Sequence, residues 1–283
     1  MTDDTQQLDA FIKMAFAEDV GSGDHTSLAC IPSDSISQAK LLVKDTGVIS
    51  GIDVAEKIFN YIDPNAKFDQ FKGDGEDVFH GDIAFTVTCN SQALLKAERL
   101  VLNTMQRMSG ITTLSSRFAF EVADLPVQIL DTRKTTPLMR FLEKWAVEAG
   151  GCKNYRVGLY DWIMIKDNHI DACGSITKAI DKVHQYFEEK GFELGITVEV
   201  RNLVELHEVL KRGGITRIML DNFEIPILKE AVATVSRQFE TEASGGIDLS
   251  NVRMYAETGV DFISVGALTH SAGTLDLSLK IMK

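Results

Sequence analysis

The sequence contains few cysteines, and they form no cluster. Cys30, Cys89, Cys152 and Cys173 stand far apart in a chain of 283 residues, without a CxxC pair or a Cys/His group. This spacing fits neither a zinc site nor a disulfide framework, so we expect free thiols and a cytoplasmic location. Long apolar runs are also missing, since no stretch approaches the roughly 20 residues that a membrane helix needs. Because the chain starts acidic rather than basic, we expect neither a signal peptide nor a membrane partner.

The sequence contains fewer basic than acidic residues. Lys and Arg number 29 against 41 Asp and Glu, which gives a net charge of -12. Nucleic acid and anionic membranes would repel such a protein, so we expect no nucleic-acid partner, and any bound anion needs a local basic pocket. Hydrophobic residues make up 45% of the chain, enough for a full core. A length of 283 residues favours one large barrel or two domains.

The first hundred or so residues mix helical and strand patterns, which predicts a small α+β unit. Apolar residues at helical spacing come first, and two strand-like stretches, AKLLVKDTGVIS and DIAFTVTC, flank a Gly/Asp-rich turn. From Ser91, a plausible N-cap, the pattern then predicts a long helix as far as Gly110 that links two domains. Met105 and Met108 are expected on its packing face.

After this helix the pattern becomes regular. Short apolar strands alternate with helical segments such as PLMRFLEKWAVEAG, ITKAIDKVHQYFEEK and LVELHEVLKR; the strands are VQIL, WIMI, ITVEV, RIML, the stretch ending in EASGG, and FISVG. Alternation of this kind predicts parallel βα units. None of the units carries GxGxxG or GxxxxGK[ST], so a barrel-like α/β fold is favoured over a nucleotide-binding sheet.

In barrels of this kind the chemistry gathers where the strands end. Polar residues at strand ends are common in themselves, but here successive units each offer a charge or a glycine pair. The first two units and the segment before the second carry the cations Arg133, Lys134, Arg156 and Lys166. Together these would make one side of the rim a basic wall suited to carboxylates or phosphates.

The later units carry acids and small residues. Glu199 and Asp221 follow the next two strands, and paired carboxylates can hold Mg²⁺ near a diphosphate or face a developing cation. The last two units supply small residues whose backbone N–H groups can surround a phosphate: Ser244, Gly245, Gly246 and Gly266. The whole rim therefore suggests a site for a phosphorylated sugar with a metal-bound diphosphate.

Seven collinear segments resemble the quinolinate phosphoribosyltransferase family. They are EDVGSGDHTS, AERLVLNTMQRMSGI, DTRKTTP, GLYDWIMIKDNHI, IMLDN, EASGGI and GVDFISVGALTHS. The resemblance spans almost the whole chain. It implies an incomplete, six- to seven-stranded α/β barrel preceded by an N-terminal α/β sandwich. The corresponding domains are residues 1–108, residues 109–268 and a C-terminal segment, 269–283, that returns to the N-terminal domain.

The resemblance also implies an activity and a set of roles. Quinolinate and phosphoribosyl pyrophosphate, with Mg²⁺, would give nicotinate mononucleotide, diphosphate and CO₂ in NAD synthesis, in a homodimer with shared sites and with higher oligomers left open. The roles carried over by motif fall into three groups. The quinolinate carboxylates would be held by Arg133, Tyr155, Arg156 and Lys166, with Arg99 from the other subunit. The phosphoribosyl donor would face Lys134, Glu199 and Asp221, and its 5-phosphate would face Ser244, Gly245, Gly246, Gly266 and His270.

Three positions depart from the family pattern. Tyr155 stands where the family has His in NHR, so it can donate one hydrogen bond but cannot become cationic near neutral pH. Thr197 replaces the first acid of an EVE triplet, and Leu138 replaces a Gly after DTRKTTP. The role of position 155 therefore stays open, whereas Thr197 and Leu138 remove no group assigned to chemistry.

Three rival functions stay open from the sequence. A related phosphoribosyltransferase, including the paralogue found beside molybdate transport genes, would act on another ring carboxylate. A Schiff-base barrel would use Lys166 or Lys134, although Asp167 and Arg133 make that setting hydrophilic. The third rival is a noncatalytic sensor that binds pyridine carboxylates.

Overall fold

Two α/β units make up the chain in the computed structural model, which describes residues 2–282 and the side chains from residue 5 onward. The first unit contains the described residues up to Ser116, residues Thr135–Gly151, and the described residues from Thr269 on. The second unit consists of Arg117–Lys134 and Cys152–Leu268. The helix after the first predicted barrel strand therefore groups with the first unit, and the predicted domain boundaries stay a prediction.

The elements alternate along the chain as follows. The helices are α1 (Thr2–Val20), α2 (His25–Cys30), α3 (Ile52–Ile62), α4 (Ser91–Glu121), α5 (Arg140–Ala149), α6 (Asp167–Cys173), α7 (Ile176–Lys190), α8 (Leu203–Arg212), α9 (Ile225–Val235), α10 (Val252–Ala256) and α11 (Ala267–His270). The strands are β1 (Ile36–Val43), β2 (Gly47–Val48), β3 (Lys67–Gln70), β4 (Asp77–Val78), β5 (Ile83–Asn90), β6 (Gln128–Leu130), β7 (Ile163–Ile165), β8 (Ile196–Val200), β9 (Arg217–Asp221), β10 (Glu240–Ser244), β11 (Phe262–Ser264) and β12 (Leu277–Ile281).

The first unit is built on a four-stranded antiparallel sheet in the order β12-β1-β5-β3. Strand β12, near the C-terminal end of the sequence, pairs with β1 along Val43↔Leu277 and the following residues. Aromatic side chains fill the space between the sheet and α3, where the rings of Phe59 and Phe85 lie 6.2 Å apart edge to face. Such ring pairs add to the stability that their burial provides.

Helix α4 begins at the predicted Ser91 but continues to Glu121, beyond the predicted end at Gly110. Met105 and Met108 are fully buried, which confirms that they belong to its packing face. The prediction ended the helix too early because Gly110 reads as a stop signal. In the structure its missing Cβ instead lets the carbonyl of Gly273 approach the helix backbone.

The second unit is built on a six-stranded parallel sheet in the order β6-β11-β10-β9-β8-β7. Within the described residues β6 and β7 do not pair with each other, so the sheet stays open. The predicted α/β fold with an incomplete barrel and a preceding N-terminal sheet unit is confirmed. None of the helices in the described part of the chain is long and apolar enough to cross a membrane.

Leu138 has a backbone conformation that leucine rarely adopts. Its φ is +65°, and its side chain is 78% exposed. The left-handed conformation costs a residue with a Cβ about 1–2 kcal/mol, and little burial offsets that cost here. We therefore expect Leu138→Gly to raise the free energy of unfolding by about 0.5–1 kcal/mol, measured by urea denaturation. Leu138→Ala, which keeps the Cβ, should bring no such gain; an equal gain would locate the cost in the exposed side chain.

Candidate active site

Three cations line one cavity of about 470 Å³ in the second unit. Arg133 follows β6, Arg156 lies in the loop before β7, and Lys166 directly follows β7. Arg133 and Lys166 follow the carboxyl ends of parallel strands, where such sheets place their functional groups. Arg156 is held near the end of β6, because the neighbouring Tyr155 donates its backbone N–H to Asp131. The structure thus brings together three of the four residues predicted for the basic wall. The fourth, Lys134, is exposed and lies outside this lining.

Arg133 and Arg156 repel each other across this cavity. Burial, and after it the positive charge of Arg133, hold the pKa of Arg156 below its ordinary value. A guanidinium stays protonated even so. Two neighbouring positive charges, one of them partly withdrawn from water, make a site that gains from a bound anion.

Lys166 is the N-cap residue of α6, and local hydrogen bonds fix its backbone. Its N–H donates to His169 Nδ1 at 3.0 Å, so His169 braces the turn that carries the lysine. The Lys166 ammonium donates to the Glu199 carboxylate, which is 7% exposed. An ion pair with one nearly buried partner is held more firmly than a surface pair. Lys166 therefore connects the basic wall to the acidic residues.

The predicted acidic residues lie on neighbouring strands and on the same face of the sheet. Glu199 of β8 is in register with Met219 of β9, and Asp221 is two residues further along that strand. Asp221 is in turn in register with Ser244 of β10. Because side chains two residues apart share a face, Glu199, Asp221 and Ser244 stand side by side at the strand ends.

The glycine pair after β10 has a backbone that other residues could not easily adopt. Gly245 and Gly246 have φ values of +105° and +60°. A Cβ at Gly245 would collide with the side chain of Asn222. The turn is held by Asn251, whose Nδ2–H donates to the Gly246 carbonyl at 3.0 Å. Gly266, half-buried, lies between β11 and α11.

Two predicted site residues, Arg99 and His270, belong to the first unit. Arg99 is exposed on α4 and lines a cavity of about 650 Å³ with Arg107 and Leu138. His270 ends α11, is exposed, and its Nδ1 lies 2.7 Å from Ser271 Oγ.

Tyr155 points its hydroxyl at another residue that departs from the family pattern. Its Oη lies 2.5 Å from Thr197 Oγ1, and burial holds the pKa of Tyr155 well above its ordinary value. The phenol therefore stays neutral over the physiological pH range. From the sequence, Thr197 was only a departure from the family pattern without a functional role. Its buried neighbours Arg217 and Glu242 were given no role either.

An open α/β barrel with a basic cavity, adjacent carboxylates and a Ser-Gly-Gly turn at its strand ends defines a class of anion-binding barrel proteins. Comparison with known families is more specific. The C-terminal domain of quinolinate phosphoribosyl transferase matches residues 111–280, and the N-terminal domain matches residues 24–109. The chain belongs to the quinolinate phosphoribosyl transferase family, as the sequence motifs predicted.

Individual relatives agree over nearly the full length. Quinolinate phosphoribosyltransferase (decarboxylating) 1b of Nicotiana tabacum is 46% identical over 98% of this chain and 83% of its own. A probable nicotinate-nucleotide pyrophosphorylase (carboxylating) of Bacillus subtilis is 39% identical over 97% and 93%. The crystal structure of NadC from Streptococcus pyogenes superposes with a TM-score of 0.91 at 35% identity, covering 98% of both chains.

Proposed function

We propose that this chain transfers the phosphoribosyl group of phosphoribosyl pyrophosphate to quinolinate, giving nicotinate mononucleotide, diphosphate and CO₂ in NAD synthesis. The observation that carries the proposal is the convergence of Arg133, Arg156 and Lys166 on one cavity beside Glu199. Quinolinate presents two adjacent carboxylates, and three cations from separate segments match that charge better than they match one carboxylate. Family membership supports the same activity.

The carboxylates beside the cavity suit the transferred group. Departure of diphosphate leaves positive charge on the ribose ring, and Glu199 and Asp221 would stabilise that charge more than they stabilise the neutral sugar. Lys134, in the loop after β6, would contact the phosphoribosyl donor. Ser244, Gly245, Gly246 and Gly266 would hold its 5-phosphate through backbone N–H groups, and His270 would assist at that phosphate. Once ribosylated, the positively charged pyridinium ring would stabilise the electron pair left on the adjacent ring carbon when its carboxylate leaves as CO₂, and a proton would then take the place of the carboxylate at that carbon.

The acidic residues fit Mg²⁺ only together with the substrate. Glu199 and Asp221 offer the carboxylate oxygens that Mg²⁺ prefers, from adjacent positions on one face of the sheet. Across the described residues, no group of three or more His, Cys, Asp and Glu side chains could hold a metal alone. We therefore propose that Glu199 and Asp221 share the ion with diphosphate oxygens, directly or through water. When bound, Mg²⁺ would offset the charge of the leaving diphosphate.

We also propose a homodimer in which the partner subunit's Arg99 contributes to the quinolinate site. Its support is the family resemblance together with the exposure of Arg99 on α4. A cytoplasmic location remains our expectation, in keeping with four free cysteines.

The activity is tested by incubating the purified protein with quinolinate, phosphoribosyl pyrophosphate and Mg²⁺. Mass spectrometry should detect nicotinate mononucleotide, and ¹³C-labelled quinolinate should release labelled CO₂. Binding of quinolinate without turnover would instead favour a sensor. Preferential turnover of another ring carboxylate would favour the molybdate-associated paralogue, and trapping of Lys166 by borohydride would favour a Schiff-base enzyme.

Nicotinate is expected to be a poor substitute for quinolinate. With one carboxylate instead of two, it would leave part of the basic wall of Arg133, Arg156 and Lys166 without a partner. We expect its kcat/KM to be lower than that of quinolinate by about thirtyfold or more, in steady-state assays with each acid. Comparable values for the two acids would mean that the cavity does not recognise the second carboxylate.

A further inference from the structure

Three polar residues lie in the middle of the parallel sheet, away from the cavity lining. Thr197 of β8 is in register with Arg217 of β9, and Glu242 of β10 is in register with Met219, two residues beyond Arg217. All three side chains therefore point to the face that carries Glu199 and Asp221. Their exposures are 0%, 6% and 0%. Buried polar groups in this position are costly unless they are paired, so their contacts identify what they do.

The positive charge of Arg217 is compensated by carboxylates and aromatic rings on several sides. Its Nη1 lies 3.2 Å from Glu242 Oε2, and its Nη2 lies 2.9 Å from Glu240 Oε2. Glu242 in turn accepts a hydrogen bond from the Ser264 hydroxyl. The guanidinium carbon also lies 3.7 Å from the ring centroid of Phe262 and 4.9 Å from that of Tyr155. A cation held against aromatic faces by the buried carboxylate of Glu242 and the exposed carboxylate of Glu240 keeps those rings in place.

Thr197 holds two aromatic residues through one hydroxyl. Trp162 Nε1–H donates to Thr197 Oγ1 at 2.8 Å, and Tyr155 Oη lies 2.5 Å from the same oxygen. The backbone N–H of Tyr155 donates to the buried Asp131 carboxylate at 2.8 Å. Tyr155 is thus fixed at its hydroxyl, its ring and its backbone. Arg156, which lines the cavity, is the next residue in the chain.

We propose that Thr197 and Arg217 are positioning residues for quinolinate recognition, because they fix Tyr155 and Trp162 and thereby hold Arg156 in the cavity. This inference rests on the proposed function. Neither residue lines the cavity, so neither would bind the substrate itself. A displacement of about 1 Å in a substrate-binding group is enough to weaken recognition substantially. Losing either anchor of Tyr155 should therefore weaken quinolinate binding through Arg156.

The first test compares two substitutions at one position. Thr197→Val keeps the shape but removes the hydroxyl, and we expect it to raise the Kd and KM for quinolinate by about five- to tenfold, with kcat changed less than twofold. Thr197→Ser keeps the hydroxyl and loses only a methyl group, so its Kd should stay near that of the wild type. A role in packing alone predicts the reverse order. Calorimetry of quinolinate binding and steady-state kinetics supply both readouts.

Thr241→Val is the matched control. Thr241 is equally buried in the neighbouring strand β10, and its hydroxyl donates to Asp261 at 2.8 Å. It is in register with Ile218, so its side chain points to the opposite face of the sheet. Thr241→Val should lower the unfolding temperature without changing the Kd for quinolinate. If Thr197→Val does not fold, Tyr155→Phe removes the other hydroxyl of the same contact, and its effect on the Kd should likewise disappear when Arg156 is replaced by Ala, which a direct contact of Tyr155 with the substrate would not predict.

A double-mutant cycle with Arg156→Ala tests the route of the effect. If Thr197 acts through Arg156, Thr197→Val should change the Kd less than twofold when Arg156 is already absent. A full five- to tenfold effect in that background overturns the inference, and so does an unchanged Kd in the Thr197→Val single variant. Failure of the wild type to bind quinolinate would instead refute the proposed function, and the inference with it.

Discussion

Replacing Glu199 by Gln is expected to lower kcat by about 10²- to 10³-fold while leaving the Kd for quinolinate unchanged or smaller. The carboxylate would stabilise charge that develops only in the transition state, so its loss should appear in kcat. Quinolinate binding should not suffer, because Glu199 pairs with the Lys166 ammonium and would compete with the proposed substrate for it. Neutralising Glu199 leaves that cation to the quinolinate carboxylates. Single-turnover kinetics and calorimetry separate the two effects.

Asp221→Asn is expected to lower kcat as Glu199→Gln does. Its effect on the ion pairing of Lys166, and so on quinolinate binding, should be smaller. Asp221 lies on the same face as Glu199 and accepts a hydrogen bond from the Asn222 side-chain amide at 2.6 Å. Asp181 on α7 is the ion-pair partner of Arg212 on α8, so Asp181→Asn is a charge-matched control in the same unit and should leave both constants unchanged. If Glu199→Gln weakened only the binding of quinolinate, the Glu199 carboxylate would act in binding that acid and not in stabilising the ribosyl group.

The regular part of the fold could be predicted because its signals are local. The strands β8 and β9 lie within one residue of the predicted ITVEV and RIML, and α7 and α8 coincide with the predicted helical segments. Apolar runs and N-cap residues such as Ser175 and Asn202 define these elements within a few residues of sequence. The short helix α6 was not among the predicted helical segments, and its N-cap, Lys166, is not a typical capping residue.

The polar interior of the sheet has a signal in the sequence. Strands buried in a parallel sheet usually read as continuous apolar runs. Here three successive strands place polar residues on one face: Thr197 and Glu199 of β8, Arg217 and Asp221 of β9, and Glu240, Glu242 and Ser244 of β10. The polar residues that close the strands drew attention to Glu199 and Asp221, whereas Thr197, Arg217 and Glu242 lie earlier in their strands and received no role.

The contact between Tyr155 and Thr197 could not be predicted from either residue alone. Each was noted as a departure from the family pattern, and they lie 42 positions apart in the sequence. Only the register of β8, together with the loop before β7, brings the two hydroxyl groups to 2.5 Å. The two departures from the family pattern are thus in direct contact, and each buried hydroxyl group gives the other a hydrogen-bond partner.

Arg99→Ala and Lys166→Ala are each expected to reduce activity to below about 1% of wild type when they are alone in a homodimer. In Lys166→Ala the basic wall loses a cation, and Glu199 loses its partner. In Arg99→Ala the wall of the neighbouring site would lose the cation that we propose the partner subunit supplies. An exposed helical arginine is otherwise most often a solvated surface charge, and its removal would then change little. Arg117→Ala, on the same helix, is the control and should remain active.

Mixing the two inactive variants distinguishes a shared site from two unrelated defects. In a twofold-symmetric dimer each patch of one subunit meets the same patch of its copy, so a mixed dimer has one site with both lesions and one site with neither. With random pairing of equal amounts and independent sites, about a quarter of wild-type activity should return after subunit exchange. Native mass spectrometry should first establish that mixed dimers have formed. If they form and activity stays absent, Arg99 does not act across the interface, because half of the sites in every mixed dimer would then have contained all of their proposed groups.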